Sequence, residues 1–488
     1  MTTIWPSIDA AIKHSRHSAL APLKWDPTAH LLSRFSFGPT SADRAYVDKH
    51  GASAWYAAQI SFAKAHPGYS GHKSVAACGP LLKKSPFDVQ QWLIAHDNAY
   101  GWDAMDQLTE VTLGLQAWSP AQLYETLVDL FSNHLNVPNH NGDLWNTRHA
   151  FDRDVIRPHV LGTFTDMLLA AAKHPAMLVY LSLAESTKAA VNENYGRELL
   201  ELHTVGLHYS ENDVKNVAKM LTGRTVDDNQ HYLFDDYIHP TGKVTVLGFT
   251  HPNKHAADGE AAGNDLLRYL AKHRYTAANL ARKMCVRYVS DNPSAALVNA
   301  VAEAYLNSGT AILPMVQTIL RSSEFWESRG AKVRRPAENV VATIRALNPK
   351  VTDWAKILES LHWVSSSAGQ VPLDWPAPNG YPDVAAAWRS AGNLLSMWDM
   401  HLGIAGGWWN GMKGVDVTGF FGSAATSGAA IKAVTNWLTG MTFSKTHEQA
   451  LQTFAGEAAG TAIADSRLQW LAYPLAAVIL DGPHHALR

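Results

Sequence analysis

The chain has 488 residues, 47% hydrophobic and 17% charged, which supplies a large buried core and excludes disorder as the default. Formal net charge is −2, from 41 Lys and Arg against 43 Asp and Glu, so no basic excess marks a nucleic-acid surface. The only cysteines, Cys78 and Cys285, exclude a cysteine-built zinc or iron–sulfur centre and imply no disulfide framework; a buried reduced state is expected, with a pairing of the two left open.

The first twenty residues carry neither a basic region before an apolar run nor a twin-Arg signal, and no stretch of eighteen apolar residues occurs. The expectation is a cytoplasmic protein without a membrane span. Residues 1–26 read as an N-terminal segment. Asp26 and Pro27 then fit a cap and first position for HLLSRFSFG, and SADRAYVDKHG reads as a helix closed by Gly51. Residues 64–87, with Pro67, Gly68, Gly71, Gly79 and Pro80, read as a long loop. From Pro86 the helical pattern strengthens. Ser119-Pro120 with Gln122 suggests a capped start, and Leu123, Leu127, Leu130, Phe131 and His134 follow at helical spacing. The loop after it, NHLNVPNHNGD, crowds His134, Asn136, Asn139, His140, Asn141 and Asp143. Asn and Asp favour turns for local reasons, so a functional loop and a plain turn both stand. RDVIRPHVLGTFTDMLLAAAKHP reads as short helices broken at Pro158, Gly162 and His174-Pro175, with Thr163 or Thr165 as a cap.

Asn192 to Asp213, NENYGRELLELHTVGLHYSEND, holds the densest set of chemically capable side chains. On a helix of 3.6 residues per turn, Asn194, Glu198 and Glu201 share one face. Glu193, Arg197 and Glu201 form a charge ladder, and Leu199, Leu202 and Val205 an apolar stripe. His203 lies about 200° from Glu201 on a regular helix, so the two converge only if the helix ends near Thr204. Gly206 favours such an end, and Ser210 with Asp213 caps the next helix, closed by Gly223.

The period then changes. HYLFDDY and KVTVLGF alternate as strands, predicting one β-hairpin over about 231–249 with His239 and Lys243 in its turn and His251 and His255 beyond it. Helices resume over 260–330 and again from Lys332. The stretch 368–388, around VPLDWPAPNGYPDV, is a Pro/Trp-rich ordered loop. Trp408-Trp409 fits a flat-ligand cleft or ordinary packing. The expected architecture is mainly α: one large helical, bundle-like domain over 27–488 with a small β-hairpin insertion. No H-E-x-x-H, G-x-S-x-G, phosphate loop, dinucleotide fingerprint or Glu-x-x-His pair is present.

Read in order, FSFGPT, SNHLNV, RPHVLGTFTDMLLAAAKHPAMLVYL, NENYGRELLELHTVGLHYSENDV, MLTGRT, HPTGK and GQVPLDWPAPNGYP resemble the bacterial domain-of-unknown-function family eighteen-hundred, from about Leu31 to Arg488. The resemblance implies a predominantly helical fold. It marks Asn192, Glu193, Asn194, Arg197, Glu198, Glu201, His203, Thr204, His134, His239 and Lys243 as motif positions. Many relatives look exported, which sets the resemblance against a cytoplasmic location. The family commonly has His-Asp where this chain has His239-Pro240.

Two functions follow. In an enzyme, the catalytic set would be Glu198, Glu201, His203, Arg197, His239 and Lys243: the carboxylates as base or oxygen ligands, His203, like His134, as a further ligand or proton carrier, Arg197 clamping an anionic group or pairing with Glu193, and His239 and Lys243 closing over the site from the hairpin. Asn192, Tyr195 and Thr204 would hold a substrate, and Glu198, Glu201, Asn194 and His134 a divalent metal. In a non-catalytic binding or assembly protein, the polar helix would be a structural network. The partner would be a small molecule, peptide or glycan, and no nucleic acid.

Overall fold

A computed structural model describes residues 26–96 and 101–488; apart from Asp26, the N-terminal segment 1–26 lies outside them. The described chain is mainly helical, with two small antiparallel hairpins. No helix among the described residues is long and apolar enough to cross a membrane.

Two hydrophobic cores organise it. One is built by side chains between Leu31 and Trp326, among them Phe131, Phe164, Leu199, Leu266, Met284 and Trp326. The other draws on Phe37, Val75 and Leu108, and then on residues between Val340 and Leu480. Helix α1 (Asp103–Trp118) feeds both, with Met105 in the first and Leu108, Val111 and Leu115 in the second. Helix α2 (Gln122–His134) and the segment Arg148–His159 pack in the first core.

Several caps fall where local chemistry predicts them. Asp26 accepts from the Ala29 amide at 3.0 Å, Thr163 caps Phe164–Ala171, and Gly51 closes Ser41–His50. Three expectations are corrected. The 64–87 loop contains a helix, Lys73–Ala77, and a 3-10 turn, Pro80–Lys83, because Val75, Leu81 and Leu82 are buried and pull their backbone into order. Gln122 does not complete a cap from Ser119; its side chain donates to the Gln116 and Ser119 carbonyls, and α2 starts without a side-chain cap. Pro158 does not break its helix. Residues Asp152–Ile156 widen into a π turn, so the Arg157 amide bonds back five residues to Asp152, and Pro158, which has no amide hydrogen, follows at a position that needs none.

The central stretch forms helix α3 (Asn194–Glu198), which runs directly into a π turn, Leu199–His203. Helix α4 (Glu211–Leu221) follows, with Ser210 and Asp213 completing the capping box and Gly223 at φ +109° just past its end. Gly196 lets α3 lie against α4: a Cβ there would meet the Val214 carbonyl and the Ala218 amide at 3.1 Å.

The β insertion is two hairpins. Strand β1 (Arg224–Val226) pairs with β2 (Tyr232–Phe234), and β3 (Val244–Val246) with β4 (Phe249–His251). Both predicted strand segments form, but each pairs with a nearer neighbour. Leu247 and Gly248, both at positive φ, make the two-residue turn of β3–β4. Leu-Gly lacks the sequence signature of that turn. Tertiary contacts hold it instead: the Leu247 amide donates to Asp213 at 3.0 Å, and Tyr269 donates to the Leu247 carbonyl at 2.6 Å.

Beyond the hairpins, α5 (Arg274–Tyr288) belongs to the first core, and α6 (Pro336–Leu347), α7 (Trp354–Ser367), α8 (Ala391–Gly406) and α9 (Leu468–Leu480) to the second. Where α5 meets α6 the junction is ionic. Glu338 takes Arg287 and, at 3.0 Å, Arg335; Asp129 takes Arg335 and, at 3.1 Å, Arg287; Lys332 binds Asp291 at 2.6 Å and Asp383 at 3.2 Å. Burial opposes the charge on Glu338, yet Arg287, Arg488 and Arg335 hold its carboxyl well below the usual range.

Candidate active site

The π turn decides what the central motif does. A helix end leaves carbonyls without intrahelical partners, and here three of them turn toward α2 and α5. The Leu202 carbonyl accepts from Lys283 Nζ at 3.1 Å, the His203 carbonyl contacts His134 Nε2 at 3.1 Å, and the Thr204 carbonyl accepts from Asn279 Nδ2 at 2.8 Å. A carbonyl only accepts, so His134 carries its proton on Nε2. Its Nδ1 then accepts from Lys283 Nζ at 2.9 Å. Burial, and next the Lys283 charge, push the His134 pKa well below its ordinary value, consistent with a neutral ring. Burial also pulls Lys283 down to about 8.

Lys283 and His134 lie on the wall of a cleft of about 290 Å³ at the junction of the two cores. Arg282, Arg287, Arg335, Asn133, Asn279 and Tyr381 line it with Asp129 and Asp383. The 368–388 loop forms its rim and is clipped down by α2 and the residues after it. Asn133 exchanges two hydrogen bonds with Tyr381, and Asn136 donates to the Trp375 and Ala377 carbonyls at 2.8 and 2.7 Å. Gly380 is required there, since a Cβ would meet the Asn133 carbonyl at 2.2 Å. Of the crowded loop after α2, Asn136 and Asn139 are thus buried fasteners, and Asn141 caps a 3-10 turn.

The remaining candidates are placed as follows. Glu198 is half-buried, its carboxyl raised by burial and then by Glu201. Glu201 accepts from Tyr209. Arg197 faces solvent and pairs bidentately with Glu211 at 2.8 and 2.7 Å, with Glu193 at 3.9 Å. Asn194 is exposed, its amide accepted by Asn192 Oδ1. Tyr195 is core, and the Thr204 hydroxyl closes the π turn on the Leu199 carbonyl at 2.6 Å. His203 is buried, driven to about 3 by burial and then by Lys283. His239 is buried between the Thr222 carbonyl, at 2.6 Å, and Asn253, at 3.0 Å, and therefore anchors the hairpins from inside. Lys243 is exposed.

The expected metal set is not gathered. Glu198, Glu201 and His134 do not bring their ligand atoms together; among the described residues, the three-residue group that does so is Asp106, His140 and His362. Both cysteines are free, Cys285 buried and Cys78 half-buried. Sequence reasoning missed Lys283, Arg335, Tyr381 and Asp383. A lone Lys on an amphipathic helix gives no signal, but Tyr381 sits in GQVPLDWPAPNGYP, one of the segments that carry the family resemblance.

A family model described as "Protein of unknown function (DUF1800)" matches residues 30–487. The chain belongs to the DUF1800 family. No curated protein and no solved structure matches the chain. The segments of this DUF1800 chain that meet at the cleft lie far apart in sequence, from Asp129 to Asp383.

Proposed function

We propose that this DUF1800 protein is an acid–base enzyme for a small anionic molecule bound in the junction cleft, with Lys283 as the group that exchanges the proton. The observation that carries this reading is the setting of Lys283 Nζ. Two of its three donors are taken, by His134 Nδ1 and the Leu202 carbonyl, which leaves the third for the cleft. A lysine near 8 exchanges its proton close to neutral pH, where general acid–base catalysis is most effective. Arg287 and Arg335 are already paired with Asp129 and Glu338, so the preference for an anion rests on Arg282, exposed beside Lys283 in the lining. His134 positions the amine and keeps it partly desolvated. Glu198 and Glu201 lie outside the cleft lining.

Competitive labelling with an amine-reactive ester, read by peptide mass spectrometry across pH, tests this. Lys283 should label with a midpoint near 8, and small carboxylates or phosphates that raise the melting temperature should protect it. Labelling only near pH 10, like an ordinary lysine, would remove the proposal. It would favour the second reading, a structural polar network, which one observation supports: both ring nitrogens of His134 are already engaged within the protein.

A further inference from the structure

The second cluster lies where α1, α7 and the loop after α2 converge. His140 Nε2 is 2.8 Å from Asp106 Oδ1, and His362 Nδ1 is 3.9 Å from the same oxygen. One ligand atom from each of the three side chains lies within 4.8 Å of the others. A tetrahedral ion bound at about 2.0–2.1 Å separates its nitrogen and oxygen ligands by about 3.3–3.4 Å. The two observed separations straddle that edge length, so small side-chain rotations would close the set around an ion.

The surroundings match what a ligating histidine needs. A metal-bound imidazole normally gives its other nitrogen to a carboxylate, which fixes ring orientation and tautomer. His140 does this: its Nδ1 is 3.1 Å from Asp374 Oδ1, while Nε2 points at Asp106. The backbone is set for that aim. His140 has φ +40° and Leu373 φ +70°, both in the left-handed region, and the Asn139 amide donates to the Leu373 carbonyl at 2.7 Å. The three ligands come from separate segments, so only the tertiary fold brings them together. None is fully buried; the side chains of Asp106, His140 and His362 are 44%, 25% and 21% exposed. A site of three ligands with an open side leaves a position for water or substrate, unlike a closed four-ligand structural site.

We propose that Asp106, His140 and His362 form a binding site for one divalent first-row transition metal ion, with Asp374 orienting His140 behind it. Two imidazoles and one carboxylate suit zinc or its neighbours in that row and disfavour magnesium and calcium, which take oxygen ligands. The site is independent of Lys283 and of the metal set expected on the central helix.

The test uses the full chain, treated with a chelator, dialysed, and titrated with Co²⁺ while visible absorption is followed, then with Zn²⁺ by calorimetry. The expected result is one equivalent bound, with the intense visible band of low-coordinate Co²⁺. His362→Ala and Asp106→Asn should abolish it. Asp374→Asn should weaken binding about 10- to 100-fold, and Glu198→Gln should leave it unchanged. Circular dichroism of each metal-free variant keeps lost binding distinct from lost folding; His362→Gln serves if the alanine variant melts early. No uptake by the wild type, or uptake that survives both His362→Ala and Asp106→Asn, overturns the proposal.

Discussion

The α5–α6 junction and the outer face of α3 carry similar charged residues to opposite ends. At the junction Arg287, Arg335 and Glu338 are almost wholly buried and tightly paired, so each charge depends on its neighbours. On α3, Arg197 meets Glu211 and Glu193 in solvent, where water solvates each charge if its partner leaves. Burial therefore decides whether an ion pair is structural, and the number of charged residues does not.

That contrast can be broken in graded steps. The largest effect belongs to Glu338→Ala, which strands Arg287 and Arg335 in the interior. It should lower unfolding free energy by about 3–5 kcal/mol in urea titrations, and a loss as small as that of a surface pair would place the network outside the folding core.

Acid comes next. His203 is neutral when folded, with a pKa near 3, and protonates near 6.5 when unfolded. Below pH 6.5 the unfolded state binds more protons, so stability falls with pH until about 3. Comparing His203→Gln with the wild type should isolate about 3 kcal/mol of that loss by pH 4. Parallel pH profiles for the two proteins would contradict a neutral His203.

Lys283 titrates on the other side of neutrality. Folded near 8 and unfolded near 10.4, it makes the unfolded state the stronger proton binder between those values, so wild-type stability rises with pH across that window. Lys283→Met should raise the neutral-pH stability by about 1–3 kcal/mol and flatten the rise, while ending any cleft-dependent turnover. A variant less stable than the wild type at pH 7 would mean that the lysine serves packing.

The smallest effect closes the series: Arg197→Ala should barely move the melting midpoint, and the little it does should vanish in high salt. A large shift would turn the surface ladder into a second structural network.

Several helix boundaries are legible from neighbouring residues alone, although the Ser119–Gln122 cap and the break at Pro158 are not. Asp26-Pro27, Ser210 with Asp213, Gly51 and Gly223 punctuate helices as expected, because a cap needs only its own few residues. The β insertion was found, yet its pairing was not, because the Leu247-Gly248 turn is held by Asp213 and Tyr269 from elsewhere. The Asn194, Glu198 and Glu201 face was legible as a face, but not whether it looked inward. The π turn after Glu198 added a further uncertainty, since it shifts every later side chain off a 3.6-residue period.

The sequence by itself determined the mainly helical class, the family and most helix ends. These follow from periodicity, caps and long ordered motifs, all properties of neighbouring residues. Only the tertiary structure decided that the stretch offers its end carbonyls to Lys283, His134 and Asn279, that Lys283 is desolvated there, and that Asp106, His140 and His362 meet. Desolvation and convergence arise between segments tens to hundreds of residues apart, and no local pattern encodes the distance that packing brings to a few ångströms.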